Sequence, residues 1–310
     1  MVHTIAFYNL ENLFDVYDDP KTNDNDFLPN SDKRWTYKRY NKKIFKLALS
    51  ISQIGFDETQ KKPSIIGLAE VENKRVLEDL VENEEFEEVD YGFVHYNSLD
   101  ERGVDVALMY DKNVFEVNHS ETFNVYIENE FGEIDFTRDI LMVSGKLSGE
   151  EIFVIVNHWP SRREGQKESE YKRVLAASKV LEIIEMIRAQ NSDPKIIIMG
   201  DFNDNPNNES IQRLLIEGDL FNPMEILQSR SEGSQNYNFQ WNLFDQIMFS
   251  TNFIHHDNGK LRFYKADIFN KRFLTQYRGK YKGQPFRTYV GKKYMGGYSD
   301  HFPVYTIMGF

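Results

Sequence analysis

The sequence predicts a layered α/β fold, and three features predict it. Short apolar runs without polar alternation, such as IFVIV at 152–156 and IIIM at 196–199, read as strands buried on both faces. Two long segments carry apolar residues at three- and four-residue spacing, the mark of helices with one face on a core. Strand-length runs lie between these helical segments, which suits a sheet held between layers.

In chain order, the first expected strand is 4–8, and the Asp/Asn-rich stretch 15–32 follows as a long polar loop rather than a domain boundary. A helix is expected over 37–54, where Ile44, Phe45, Leu47, Ala48, Leu49, Ile51 and Ile54 oppose Lys38, Lys42, Lys43 and Lys46, with Gly55 as its C-cap. A strand over 64–69 and a short helix after Glu72 come next, then strands over 103–110, 141–147 and 152–157. The second long helix is expected over 168–190, on Val174, Ala177, Val180, Leu181, Ile184 and Ile187. Beyond it lie a strand over 195–199, a turn at Asp204, Asn205 and Pro206, a helix through Ile211, Leu214 and Leu215, and a strand over 244–249. No repeat or low-complexity linker interrupts the series, so residues 1–310 are expected to form a single domain.

Composition narrows the chemistry. Lys and Arg number 37 against 49 Asp and Glu, a net charge of −12 that disfavours general coating of nucleic acid or anionic membranes. No cysteine occurs, which excludes disulfide scaffolds, thiolate zinc sites and Cys nucleophiles. The opening MVHTIAFYNLENLFD has no basic leader and no later stretch reaches ~20 apolar residues, so a soluble, cytoplasmic chain without a membrane span is expected.

Polar residues gather at the ends of the apolar runs, where loops bring reactive groups together on a rigid scaffold. Asn9 and Glu11 follow the first run, Glu70 and Glu72 the second, and Asn157 and His158 the IFVIV run. Gly200-Asp201-Phe202-Asn203 follows IIIM, Asp245 follows Phe244, and Ser299-Asp300-His301 stands near the C-terminus. Singly, most such residues are solvated loop groups or helix caps, and Glu72 ahead of Asn73-Lys74-Arg75 is read as a cap. The set in this order is harder to explain that way.

The residues YNLEN (8–12), GLAEVEN (67–73), VNHWP (156–160), MGDFND (199–204), FDQIMFS (244–250) and YSDHFPV (298–304) resemble the endonuclease/exonuclease/phosphatase superfamily. That superfamily includes pancreatic deoxyribonuclease, abasic-site endonucleases, neutral sphingomyelinases and inositol-polyphosphate phosphatases. The resemblance spans nearly the whole chain, with GDFN and SDH its most specific parts. It implies a four-layer α/β sandwich, two mixed β-sheets packed face to face with helices outside.

Carried over residue by residue, the resemblance implies Glu70 as the main divalent-metal ligand, with Asn9 and Glu11 completing the site directly or through water and Asp300 joining it. Oxygen ligands without cysteine suit Mg²⁺ or Mn²⁺. Asp201 and Asn203 would position the attacking water and the phosphate. His301 paired with Asp245 would serve proton transfer or hydrogen bonding to the phosphate, and His158 would contact a phosphate oxygen or protonate the leaving group. Arg138 and Asn157 are candidate contacts to the substrate phosphate. The Asn242-Leu243-Phe244-Asp245-Gln246 stretch lacks the Arg of the inositol-phosphatase element and the aromatic common in the nucleases, so the subfamily is open.

Residues 260–298 change character: eleven Lys or Arg against one acid, Asp267, with ten interleaved aromatics. Cations attract phosphates and aromatic faces stack on bases, so the stretch is read as a nucleic-acid groove, against the alternative that its aromatics are core. The leading expectation is a metal-dependent nuclease. The alternatives are a phosphatase or phospholipase of the same superfamily and, in another class, a non-catalytic metal-binding interaction module.

Overall fold

The computed structural model describes residues 1–128, 132, 134–229, 231–254 and 259–310. The chain runs β1 (Val2–Leu13), α1 (Tyr37–Ser52), α2 (Phe56–Thr59), β2 (Ile65–Val71), α3 (Lys74–Val81), β3 (Tyr91–His95), β4 (Asp105–Asp111) and β5 (Phe115–Phe123). It continues β6 (Ile140–Leu147), β7 (Glu150–His158), α4 (Glu170–Gln190), β8 (Ile196–Asp201), α5 (Glu209–Glu217) and β9 (Leu220–Phe221). The last part holds β10 (Gln235–Tyr237), β11 (Gln240–Asn242), β12 (Asp245–Ser250), β13 (Arg262–Ile268), β14 (Tyr289–Val290), β15 (Lys293–Tyr294) and β16 (Val304–Gly309).

Two six-stranded mixed sheets result, ordered β13-β16-β1-β2-β4-β3 and β5-β6-β7-β8-β12-β9. Their inner faces share one core, in which Phe7, Leu68, Val154, Val156, Ile197, Met199 and Ile247 are fully buried together. Leu47 and Ile51 of α1 and Val76, Leu77 and Leu80 of α3 belong to that same core, from the side of the first sheet. Ala176, Val180 and Ile184 of α4 and Leu214 of α5 form a separate core with Ile155, Ile196, Ile198 and Met248 of the second sheet. The unalternating IIIM run is thereby explained: Ile197 and Met199 face the other sheet while Ile196 and Ile198 face helices. The expected four-layer sandwich is the observed one.

Every expected strand and helix is present, with ends displaced by a few residues. Helix α1 stops at Ser52, and Gly55, at φ 68°, breaks the chain three residues later and opens α2 rather than capping α1. Strands β3, β5, β13 and β16 are additions to the sequence reading. β5 reads FEVNHSETF because it is an edge strand with mostly polar, part-exposed side chains. β13 is also an edge strand, paired to β16, so the start of the basic stretch is sheet rather than groove. Within that stretch Phe269, Tyr289 and Tyr298 are buried, and Phe263, Phe273, Phe286 and Tyr294 pack against the core. The groove reading is therefore corrected for seven of its ten aromatics. No helix among the described residues is long and apolar enough to cross a membrane.

Parallel neighbours β7 and β8 approach so closely at Gly200 that an added Cβ would lie 2.4 Å from the backbone oxygen of Asn157. Gly200→Ala is expected to destabilise the fold by about 1–3 kcal/mol, as overpacking against backbone does. Urea denaturation of the two proteins side by side measures this.

Candidate active site

Register places the chemistry on one rung of the second sheet. His158 ends β7, opposite Asp201 at the end of parallel β8, and Asp201 is in turn opposite Asp245 at the start of antiparallel β12. Asp245 is thus first in its strand, yet because β12 runs against β8 it sits at the same sheet edge as the others. The first sheet contributes Asn9 from β1, whose amide nitrogen donates to Asp201 Oδ2 at 3.0 Å and ties the two sheets together. His301 arrives from the turn before β16, with Nδ1 2.6 Å from Asp245 Oδ2 and Nε2 3.9 Å from Asp201 Oδ2.

Backbone irregularities aim the first-sheet groups. The β1–β2 register shifts between Asn9 and Leu13, and the β2–β4 register between Ala69 and Val71. Glu11, Asn12 and Glu70 sit there with φ of 52°, 53° and 61°, a left-handed conformation that side chains resist. Asn203, in the loop after β8, also has a positive φ of 50°; its N–H donates to Asp201 Oδ1 and its amide nitrogen to Trp159 O. The next residue, Asp204, anchors that loop through Arg162, Arg173 and Ser210.

The electrostatics separate the two histidines. Burial alone would strip His301 of its proton, but Asp245 and Asp201 outweigh it and hold its pKa well above the ordinary imidazole value. His158 faces the opposite balance: burial, then Arg138 and Arg102, push its pKa well down, and its Nδ1 is buried without a hydrogen-bond partner. Asp201 is raised to about 6 by burial, with Asp245 adding and His301 opposing. Glu70 is part-buried, which favours the neutral form, yet Arg102 and the Asn12 N–H hold its carboxyl below the usual range.

Several expected residues are committed elsewhere. Both oxygens of Glu11 accept backbone N–H groups, from Thr288 and Tyr289, and Lys43 Nζ is 3.7 Å away. The Asn9 side-chain oxygen accepts from Glu11 N–H, so both residues already take part in the hydrogen bonding that fixes this turn. Asn157 is fully buried, donating to Ile155 O and Met199 O and accepting from Trp159 Nε1; it braces strands rather than facing a phosphate. Glu72 is not the cap of α3, which is Asn73. Arg138 lies near Glu70 and His158, paired with Asp100 at 3.1 Å. Asp300 stays part-exposed, 3.7 Å from Arg287.

Sequence reasoning missed Arg102, which bonds Glu70 and the Asn12 side chain, and the nearby Arg163. No strand end or periodicity marks either one; only folding brings them to Glu70. Asp201, Asp245 and His301 have ligand atoms within 4.8 Å of one another, and Asp245 Oδ1 is buried with no hydrogen-bond partner. The oxygens of this buried group are donors that suit a hard divalent cation. A hollow of about 630 Å³ lined by Phe269, Lys271, Arg272 and Tyr277 includes none of these groups.

Burial raises the Glu72 carboxyl to about 8, Asp15, Asp24 and Asp19 adding to the effect against the Asp15 N–H bond. Between pH 4.5 and 8 the unfolded chain therefore holds fewer protons at this group than the folded one, so its contribution to stability falls as pH rises. Glu72→Gln is expected to gain stability over the parent across that window and no further above it, as thermal unfolding at stepped pH reads out.

The family described as Endonuclease/Exonuclease/phosphatase family matches residues 4–309, and the chain belongs to it. No curated protein sequence matches. Among solved structures, truncated Caenorhabditis elegans TDP2 is 15% identical with a TM-score of 0.61, over 100% of this chain and 98% of that one. D. rerio TDP2 complexed with single strand DNA product is 14% identical with a TM-score of 0.58, over 100% and 99% of the two chains. Bacteroides thetaiotaomicron VPI-5482 mannosyl-6-phosphatase Bt3783 is 18% identical with a TM-score of 0.57, over 99% and 100%. At such identities the likeness carries the fold, and the family makes the chain a phosphoester hydrolase.

Proposed function

From that membership we propose that the protein is a divalent-cation-dependent phosphodiesterase of nucleic acid, working as one catalytic domain over residues 1–310. The observation that carries the phosphoester chemistry is the buried His301 between Asp245 and Asp201. Its imidazolium presents Nε2–H to a phosphoryl oxygen while Asp245 fixes the ring through Nδ1. Asp201, its basicity raised by burial, accepts the proton of the attacking water, and Asn203 orients the phosphate. His158 is held neutral, which suits hydrogen bonding to the phosphate rather than protonation of the leaving group.

By the family resemblance Glu70 and Asp300 would hold Mg²⁺ or Mn²⁺, and the buried group of Asp201, Asp245 and His301, with Asp245 Oδ1 unpaired, offers further donors. Such an ion, when bound, would neutralise charge on the phosphoryl oxygens. Arg102 and Arg138 beside Glu70 supply fixed positive charge to the same region. Those two arginines also favour a second reading, a phosphatase or phospholipase acting on a doubly charged monoester or a lipid head group; TDP2 and mannosyl-6-phosphatase neighbours are compatible with either.

Asp201→Ala and His301→Ala are each expected to lower kcat on bis(p-nitrophenyl) phosphate by about 100-fold or more with the fold intact by circular dichroism. Wild-type turnover from either protein would sink the assignment. A chelator should abolish turnover, and Glu70→Gln should raise the Mg²⁺ or Mn²⁺ concentration needed to restore it. Release of inorganic phosphate from monoesters, with diesters untouched, would favour the second reading.

A further inference from the structure

Two hairpins spring from the segment that carries His301 and meet at their tips. The first is β10–β11: Gln235 bridges His301, Ser234 O accepts from Phe302 N–H, and Trp241 stacks on Phe302 at 6.0 Å and 20°. The second spans 275–285, closed by the Thr275–Pro285 bridge and the Gln276–Gln284 backbone bond. Just past it, Phe286 O accepts from Tyr298 N–H, one residue before Ser299-Asp300-His301. At the tips, Phe239 and Tyr281 lie parallel, with ring centroids 5.5 Å apart and planes 4° apart, although 57% and 42% exposed.

Phe239 is expensive where it stands. Asn238 and Phe239 form the two-residue turn between β10 and β11, both with positive φ, 49° and 66°. Such turns take glycine at the second position, since a bulky side chain there is strained. A ring kept exposed and strained, with little core burial to offset the cost, points to a role outside folding.

The surrounding charge points the same way. Of the cations in 260–298, Lys265, Lys271, Arg287 and Lys292 each face an acid. Arg278, Lys280 and Lys282 on the second hairpin are exposed and, among the described residues, have no ion pair; Lys280 Nζ lies 4.8 Å from the Tyr281 centroid. On a protein of net charge −12 this hairpin thus carries three exposed cations with no ion pair among the described residues, Lys280 of them at the Tyr281 ring. Phe239 is three residues from Asn242, the partner of Gln235, so at about 3.4 Å per strand residue the rings stand about 10 Å along the hairpin from the His301 bridge.

We propose that Phe239 and Tyr281, with Arg278, Lys280 and Lys282, form a stacking subsite for a base of single-stranded nucleic acid, a few nucleotides from the phosphate at His301. The inference rests on the nucleic-acid phosphodiesterase reading for its substrate class. Every base offers a face to an aromatic ring, whereas a duplex hides those faces in its own stack, and three local cations suit the adjoining phosphates.

The test is anisotropy of a fluorescein-labelled oligothymidylate in chelator, so that binding is read without cleavage. Bis(p-nitrophenyl) phosphate turnover with Mn²⁺ is measured in parallel. Phe239→Ala and Tyr281→Ala should each weaken single-strand binding by about tenfold, the scale of one lost base stack, with small-diester kcat unchanged and duplex binding little altered. Phe239→Trp should restore binding, and Lys280→Gln with Lys282→Gln should flatten the salt dependence by about 1.4 in slope. Unchanged single-strand affinity in both alanine variants, or equal losses on duplex and single strand, overturns the subsite. Loss of small-diester turnover in the parent protein would instead sink the hydrolase reading, and the anisotropy would still decide the stacking claim.

Discussion

The site depends on a single imidazolium shared by two buried carboxylates. Asp201 and Asp245 stand opposite one another on neighbouring strands, both with almost no exposure, an arrangement that like charges resist. At an effective dielectric of about 20, contacts of 2.6 Å and 3.9 Å to His301 are worth roughly 6 and 4 kcal/mol, set against the burial that opposes a charged ring. Attraction wins, which is why His301 keeps its proton in a place where burial favours the neutral ring. The Asn9 amide and the Asn203 N–H then take up the Asp201 oxygens, so neither sheet can shift without disturbing that balance.

Around this triad the scaffold divides its labour. The second sheet supplies a straight rung of His158, Asp201 and Asp245, set by register alone. The first sheet supplies Glu70 only by bulging, with the backbone of Glu11, Asn12 and Glu70 in a left-handed conformation and Arg102 holding the carboxylate that results. Glu11 itself is anchored deeper, where Lys43 and the Thr288 and Tyr289 N–H groups fix the loop that leads back toward His301. The buried Glu11–Lys43 pair therefore fixes the position of that loop.

Much of this was legible in the sequence because buried strands are apolar on both faces and reactive residues follow them directly. IIIM then GDFN, and IFVIV then NH, place Asp201 and His158 without any knowledge of the partner strands. What stayed hidden was side-chain direction. Asn157 and His158 are adjacent, yet alternation along β7 sends one toward strand-bracing bonds and the other toward Asp201. The strand β16 escaped notice because VYTIMG alone lacks a distinguishing period, and Arg102 because its partner Glu70 lies 32 residues away in sequence. The aromatics of 260–298 show the reverse error: interleaving with cations suggested a groove, but most of them close the core beneath β13 and β16.

Strand β16 lies in the interior of its sheet, between β13 and β1, pairing the last stretch of the chain with the first. Asn9 and His301, which both meet Asp201, come from widely separated parts of the sequence. A chain in which β16 has not yet paired has a gap in its first sheet, and His301, just before that strand, is not yet held against Asp201 and Asp245. Assembly of the site therefore waits on this non-local pairing, which belongs among the slower steps of folding.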